Sequence, residues 1–239
     1  MKQQTELLER YNDKLAEVYD EASQKPEFDW RSAREVSSFV LPYAKPRGKV
    51  LDVGVGTGQS SEALYRAGCK ITGVDISQKM LDAARKKFSD WDLRKADIEK
   101  DVLKFKKASF DIIVASGIFE FLDDLEGVLK KLAELLAPSG VICFTFEEYL
   151  PEHELQQFKV AELGRGIADP VPEQISFRVY RRTLGEIGLV LKKIGMDISG
   201  QKQFVSYFKT NRKIPIIYRV ILARMGRERR ISTLRRNPI

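Results

Sequence analysis

The chain has 239 residues, 43% hydrophobic and 31% charged, which fits one α/β domain with additions and a well-solvated surface. Two cysteines, Cys69 and Cys143, lack a Cys-x-x-Cys spacing, and His153 is the only histidine; a multi-histidine metal site is excluded, and no metal or disulfide framework is expected. The net charge of +7 gathers at the end, where six arginines stand against Glu228 alone in residues 224–239.

Residues 1–6 are polar and carry no apolar signal-peptide core. No run of about 18 apolar residues offers a transmembrane helix, so a cytoplasmic protein is expected. Leu7, Leu8, Tyr11, Leu15, Val18 and Tyr19 recur at helical spacing over residues 3–22, and Pro26 stops the run. A second helix fits residues 30–43, with Ala33, Val36, Phe39 and Val40 on one stripe. Together these predict an N-terminal helical cap over residues 1–47.

Strands and helices then alternate. Residues 49–53 predict a buried strand, 54–58 a glycine turn, 59–66 a helix, and 70–74 a second strand. Residues 77–88 predict a helix capped by Ser77. Residues 93–96 predict a short strand, 110–115 a strong one, 125–136 an amphipathic helix, and 141–146 a fifth strand after a turn at Pro138-Ser139-Gly140. Residues 147–181 break the rhythm and predict an inserted lid. Thr183 and Glu186 form a capping box for a helix reaching Ile194, and 203–208 and 216–223 predict a hairpin. The order implies a doubly wound, mostly parallel α/β sheet over residues 48–224, followed by a basic tail at 225–239.

The turn reads Leu51-Asp52-Val53-Gly54-Val55-Gly56-Thr57-Gly58. Glycines let a backbone approach a ligand closely, and this place is the switch-point crevice of an open α/β sheet. Asp75 ends the next strand, 21 residues after Gly54, where a carboxylate can accept both ribose hydroxyls of an adenosine. Gln59 stands where the third glycine of a dinucleotide fingerprint would fall, and Asp52 beside the turn is poor company for a pyrophosphate. Asp52 suits an ammonium instead, which points to S-adenosyl-L-methionine.

At these residues the chain resembles the class I S-adenosylmethionine-dependent methyltransferases over about residues 48–147, with the final helix and strand pair also fitting. The resemblance implies a Rossmann-like, seven-stranded fold. It implies Gly54, Val55, Gly56, Thr57 and Gly58 beside the methionine end and Asp75, with Ile76, at the ribose. It places Asp97, with Ile98, near the adenine amino group and Ser116 and Gly117 in the floor. Two early tyrosines, Tyr11 and Tyr19, and Asp124-Leu125-Glu126 are similar to the small-molecule, methyltransferase-like 27 type. No Asn-Pro-Pro-Tyr sequence follows the fourth strand, which argues against methylation of base amino groups.

Methyl transfer is an in-line displacement from a sulfonium, so alignment and exclusion of water matter more than a catalytic triad. His153, in the expected lid, is the residue suited to a base near neutral pH, or else a surface histidine. Phe119 and Phe121 either line the acceptor pocket or pack the core. Glu147 and Tyr149, past the fifth strand, and Arg178 are candidates for substrate contact or for solvated loop positions. Tyr19, with Tyr11 and Trp30, either covers the methionine end or packs helices on the sheet, and Met80 is placed to pack on adenine. The expected function is methyl transfer to a small molecule. The alternatives are RNA or protein methylation with a nucleic acid or anionic surface held by the basic tail, a non-catalytic cofactor-binding protein, and, least favoured, a dinucleotide oxidoreductase.

Overall fold

A computed structural model of the chain describes residues 2–25, 29–164, 175–209 and 213–226. Seven strands form one sheet: β1 (Lys49–Val53), β2 (Lys70–Asp75), β3 (Asp92–Lys95), β4 (Phe110–Ala115), β5 (Leu136–Glu147), β8 (Met196–Lys209) and β9 (Ile214–Met225). Their order is β3-β2-β1-β4-β5-β9-β8. The pairs from β3 to β5 are parallel, while β9 runs antiparallel to both β5 and β8. The order reverses between β1 and β4, so the carboxyl ends of β1, β2 and β4 open onto one crevice.

The central strands are buried on both faces, as parallel strands are. On one face Leu51, Val53, Ile113, Ala115, Ile142 and Phe144 pack with α6 (Leu125–Leu135) and α7 (Leu184–Lys193). On the other, Val50, Ile112, Val114, Val141 and Cys143 meet α3 (Ser32–Val40), α4 (Glu62–Arg66) and α5 (Gln78–Lys87). The caps read from the sequence are in place. Ser77 Oγ accepts the Met80 N–H, and Thr183 and Glu186 close a full capping box.

Several boundaries differ from expectation for local reasons. The first helix is two: α1 (Lys2–Leu15) and α2 (Tyr19–Gln24), separated by a turn at 16–18. The helix after the glycine turn begins only at Glu62, because Ser60 and Ser61 turn their hydroxyls onto Asp52. Pro138-Ser139-Gly140 is no turn but part of β5. Phe110 faces Leu136 and Ile112 faces Val141, so the chain bulges across 137–140, which tolerates a proline in a strand.

The expected lid contains a second sheet, the antiparallel hairpin of β6 (Val160–Gly164) and β7 (Ser176–Tyr180). Most of the basic tail, residues 227–239, lies outside the described residues. Among the described residues no helix is long and apolar enough to cross a membrane.

Leu132 on α6 is fully buried and Leu189 on α7 is 71% exposed. Leu132→Ala is expected to lower the free energy of unfolding by about 2–5 kcal/mol, and Leu189→Ala to change it by less than about 0.5 kcal/mol, as measured by urea denaturation.

Candidate functional site

The glycine turn leaves β1 and returns at α4, and Asp75 at the tip of β2 holds it. Asp75 Oδ2 accepts the Gly56 N–H at 2.9 Å and Oδ1 accepts the Ser77 N–H at 2.8 Å. Gly56 has φ +51°, and a Cβ there would project into open space with nothing within 4 Å, so the backbone itself forms the wall of a cavity. Gly58, at φ +95°, is a glycine for another reason: a Cβ would lie 2.8 Å from the Phe88 ring. Burial pushes the Asp75 carboxyl up to about 6, against the hydrogen bonds that favour its charge.

The cavity has a volume of about 420 Å³, within the range of small-molecule sites. Of the expected cofactor residues, Gly54, Gly56, Asp75, Ile76, Met80, Asp97, Ile98, Ser116, Gly117 and Tyr19 line it. Asp97 Oδ2 accepts the Thr5 hydroxyl at 3.0 Å, and Lys100 lies 3.2 Å away. Burial raises the Asp97 carboxyl, but the bonds from Lys100, Glu99 N–H and Thr5 outweigh it and hold the group below the usual carboxylate range. Ser116 Oγ is buried without a hydrogen-bond partner. Gly117 N–H donates to Thr145 Oγ1 at 2.9 Å, fixing the end of β4 to β5.

Four expected cofactor residues do not reach the cavity. Asp52 is fully buried beneath the turn, where Oδ2 accepts the hydroxyls of Ser60 at 2.7 Å and Ser61 at 2.6 Å. Burial pushes its carboxyl up to about 6. It braces the turn rather than meeting an ammonium, although its Oδ1 has no partner. Val55 packs in the core and Gly58 against Phe88 and Trp91. Thr57 donates to Asp20 Oδ1 at 2.6 Å, as does Gln59 at 2.8 Å, while Lys87 pairs with Asp20 Oδ2 at 2.6 Å. Burial raises Asp20, and those three donors outweigh it and lower the group. Asp20, unmarked in the sequence, thus ties α2 to the glycine turn.

The roof comes from α1 and β7. Leu8, Tyr11, Met80, Phe177 and Val179 form one apolar cluster, with Tyr11 edge-on to Phe177 at 5.3 Å. Gln4 fastens it: its amide donates to Phe121 O at 3.2 Å and Arg178 O at 3.3 Å and accepts from Arg178 N–H at 3.0 Å. Gln4 and Thr5 carry no motif that a sequence reading could catch. Among the described residues Arg178 is the only cationic side chain that lines the cavity, against Asp75, Asp97, Glu99, Asp123 and Glu162. Such a lining attracts a cation and repels a pyrophosphate.

The remaining candidates are placed elsewhere. His153 does not line the cavity. Its Nδ1 accepts the Leu155 N–H at 3.2 Å, so the proton sits on Nε2, which donates to Pro215 O at 2.9 Å. One nitrogen serves the loop and the other ties it to β9, which corrects the expectation of a base there. Phe119 is fully buried and stacks on Phe144 at 4.6 Å, so it is core rather than substrate contact; Phe121 does line the cavity. Tyr149 lies outside the cavity beneath the Lys159 ammonium, 5.4 Å from its ring centre. Among the described residues no group of three or more His, Cys, Asp or Glu is arranged to hold a metal ion.

Glu147 is buried at the end of β5 and pairs with Arg181 Nε at 2.5 Å, each side chain 2% exposed; it too lies outside the cavity lining, which corrects its reading as a substrate contact. Arg181 also donates to Phe158 O at 3.0 Å. Tyr218 O–H donates to Glu120 Oε1 at 2.9 Å and lies 3.4 Å from Glu147 Oε2. Arg182 holds the backbone of the 3-10 turn Phe119–Phe121 and of Leu122, donating to Phe119 O at 2.9 Å and Leu122 O at 2.5 Å. Sequence reasoning misses Glu120; its one signal is a lone charge between two phenylalanines just past the fourth strand.

Residues 51–144 match a protein family described as a methyltransferase domain. The chain is 38% identical over 102 residues to a demethylmenaquinone methyltransferase of Tropheryma whipplei, covering 40% of this chain and 41% of that protein. It is 25% identical over 258 residues to a malonyl-[acyl-carrier protein] O-methyltransferase of Legionella pneumophila, covering 88% and 89%. It spans less than half the length of several of the curated relatives it matches. A crystal structure of an S-adenosylmethionine-dependent methyltransferase from Methanosarcina mazei shares the fold, with TM-score 0.67 at 16% identity over 79% of this chain and 97% of that one.

Arg181→Met leaves Glu147 buried without its cation. The variant is expected to lose about 3–5 kcal/mol of stability, seen as a lower urea midpoint, whereas Lys193→Met, which breaks an exposed pair with Glu126, is expected to leave the midpoint nearly unchanged.

Proposed function

We propose that the chain is a class I S-adenosylmethionine-dependent methyltransferase that transfers a methyl group from S-adenosylmethionine to a small-molecule acceptor. The observation that carries this reading is the cavity into which Gly56, Asp75, Asp97 and Ser116 converge under an acidic lining. The residues fit the cofactor. The open wall at Gly56 admits a close-lying ligand, and the buried Ser116 hydroxyl lacks a partner that a polar ligand atom would supply. Bound there, the cofactor supplies a methyl group on a cationic sulfur.

The chain's part is to hold and enclose. Asp75 uses one lone-pair direction on each oxygen for a backbone N–H, which leaves the others for ribose hydroxyls. Asp97 is positioned for the adenine amino group, with Ile76, Met80 and Ile98 supplying apolar contact for the ring. Tyr19 and the roof of Leu8 and Phe177 exclude water, so alignment does most of the catalytic work. The relatives from Tropheryma whipplei and Legionella pneumophila act, by their names, on demethylmenaquinone and on malonyl-acyl carrier protein, which supports an organic acceptor group, in the second case one carried on a protein.

Isothermal titration with S-adenosylmethionine tests the reading. The wild type is expected to bind it and to ignore NAD; Asp75→Ala is expected to weaken binding by more than about tenfold, the loss of hydrogen bonds to a charged group, and Gly56→Val to abolish it by filling the cavity. Unchanged affinity in Asp75→Ala would show the ribose assignment to be wrong. The pH dependence has a definite sign. The Asp75 carboxyl loses its charge as pH falls through about 6, and Asp52 does so in the same range. Affinity is therefore expected to be several-fold lower at pH 5 than at pH 7.5, with much of that dependence missing in Asp75→Asn.

A further inference from the structure

The end of the sheet opposite the crevice carries unmatched positive charge. There the amino ends of β1 and β2 lie side by side, with Lys49 opposite Lys70. Lys45, Arg47, Lys49, Lys106 and Asp111 line one depression beside them. The four cations and Lys70 are exposed. Lys45 pairs with Asp111 at 2.8 Å, and Lys107, next to Lys106, is matched by Glu134. Arg47, Lys49, Lys70 and Lys106 make no ion pair among the described residues. Four such cations at one end of a sheet set up a field that attracts an anionic surface.

Two turns in the lining of that depression are strained. Gly48 N–H donates to Lys45 O at 2.8 Å and closes a four-residue turn. Pro46 fixes φ at the second position, and Arg47, at the third, has φ +62°. This is a type II turn, which favours glycine at its third position; the chain puts arginine there and glycine one place later. Ala108, also in the lining, has φ +53°, again a conformation unfavourable for any side chain. Strain of this kind gathers where a surface binds something. Two further features belong to the same end. Tyr43 and Leu41, two and four residues ahead of Lys45, are 41% and 44% exposed. Val50, Ile112, Val141 and Arg224 form one row across β1, β4, β5 and β9. The end of β9, ahead of the five arginines of residues 227–239, therefore lies three strand spacings from β1, roughly 14 Å.

We propose that this end of the sheet docks on an anionic lipid bilayer. Arg47 and the lysines meet the headgroup phosphates. Leu41 and Tyr43 enter the headgroup boundary, as aliphatic and aromatic side chains do beside basic ones. A nucleic acid would match the charge but give Leu41 no apolar cover, so the exposed pair favours lipid. The crevice, at the other end of the parallel strands, then faces the water, and its ligands exchange freely. The docking surface shares no residue with the cavity and goes beyond the methyltransferase reading without depending on it.

Sedimentation of the full chain with vesicles tests the proposal. The wild type is expected to bind vesicles of phosphatidylglycerol and phosphatidylcholine in equal parts, to ignore phosphatidylcholine alone, and to lose affinity as salt is added. Each cation near an anionic surface contributes about fivefold to binding. Arg47→Gly is therefore expected to weaken binding by about fivefold yet to unfold at no lower a temperature, because glycine relieves the turn. Adding Lys49→Gln and Lys106→Gln is expected to bring the loss to about a hundredfold. Leu41→Ser, which keeps every charge, is expected to weaken binding severalfold, and Arg178→Gln, at the crevice end, to bind as the wild type does. Undiminished binding in Arg47→Gly or Leu41→Ser, or an equal loss in Arg178→Gln, overturns the proposal. So does a loss seen only when the arginines of residues 227–239 become glutamine, or binding of polyuridylic acid in place of the mixed vesicles. S-adenosylmethionine titration of Arg47→Gly is expected to match the wild type, so this surface and the cofactor cavity fail separately.

Discussion

Two backbone N–H groups donating to one carboxylate organise the site. Asp75 stands at the tip of β2 and receives Gly56 from the neighbouring strand's turn and Ser77 from the start of α5. Parallel pairing places Asp52 beside Gly73 and Val53 beside Val74, so the chain leaving β1 must pass directly over the end of β2. Without an acceptor there, the tight glycine turn would leave a part-buried donor unmatched at the cavity wall. The carboxylate thus shapes the loop and also lines the cavity. Its proximity to Asp52, which the serines restrain from below, keeps negative charge concentrated under the turn.

A second layer of polar contacts governs how the helical cap meets the sheet. Asp20 collects Thr57, Gln59 and Lys87, and Asp13 accepts the Ser77 hydroxyl at 2.5 Å. Both aspartates reach from the N-terminal helices to the rim of the crevice. The cap is therefore bonded to the same turns that form the cavity, and packing alone does not place it.

The sheet order, the caps and the strand-tip acid are legible in the sequence because each depends on neighbours close along the chain: a continuous apolar run, a hydroxyl ahead of a helix, a glycine beside a strand. The features that escape a sequence reading depend on distant partners. Asp52 has the position of a ligand contact, yet strand alternation turns it to the face where Ser60 and Ser61 wait. Phe119 and Phe121 look equivalent, but a 3-10 turn splays successive side chains about a third of a rotation apart. One therefore enters the core, the next reaches Tyr218 and the third meets the cavity. His153 has the chemistry of a base, and the loop and β9 hold both of its nitrogens. Glu147 meets Arg181 from a segment 34 residues on, which no local pattern announces.

Gln4, on the first helix, hydrogen-bonds both the hairpin strand β7 and the backbone at Phe121. Its amide adds a polar tie to the apolar packing of Tyr11 on Phe177 between two coverings more than 150 residues apart in the chain. One amide thus ties together the first helix, the hairpin and the 3-10 turn, three elements that border the cavity.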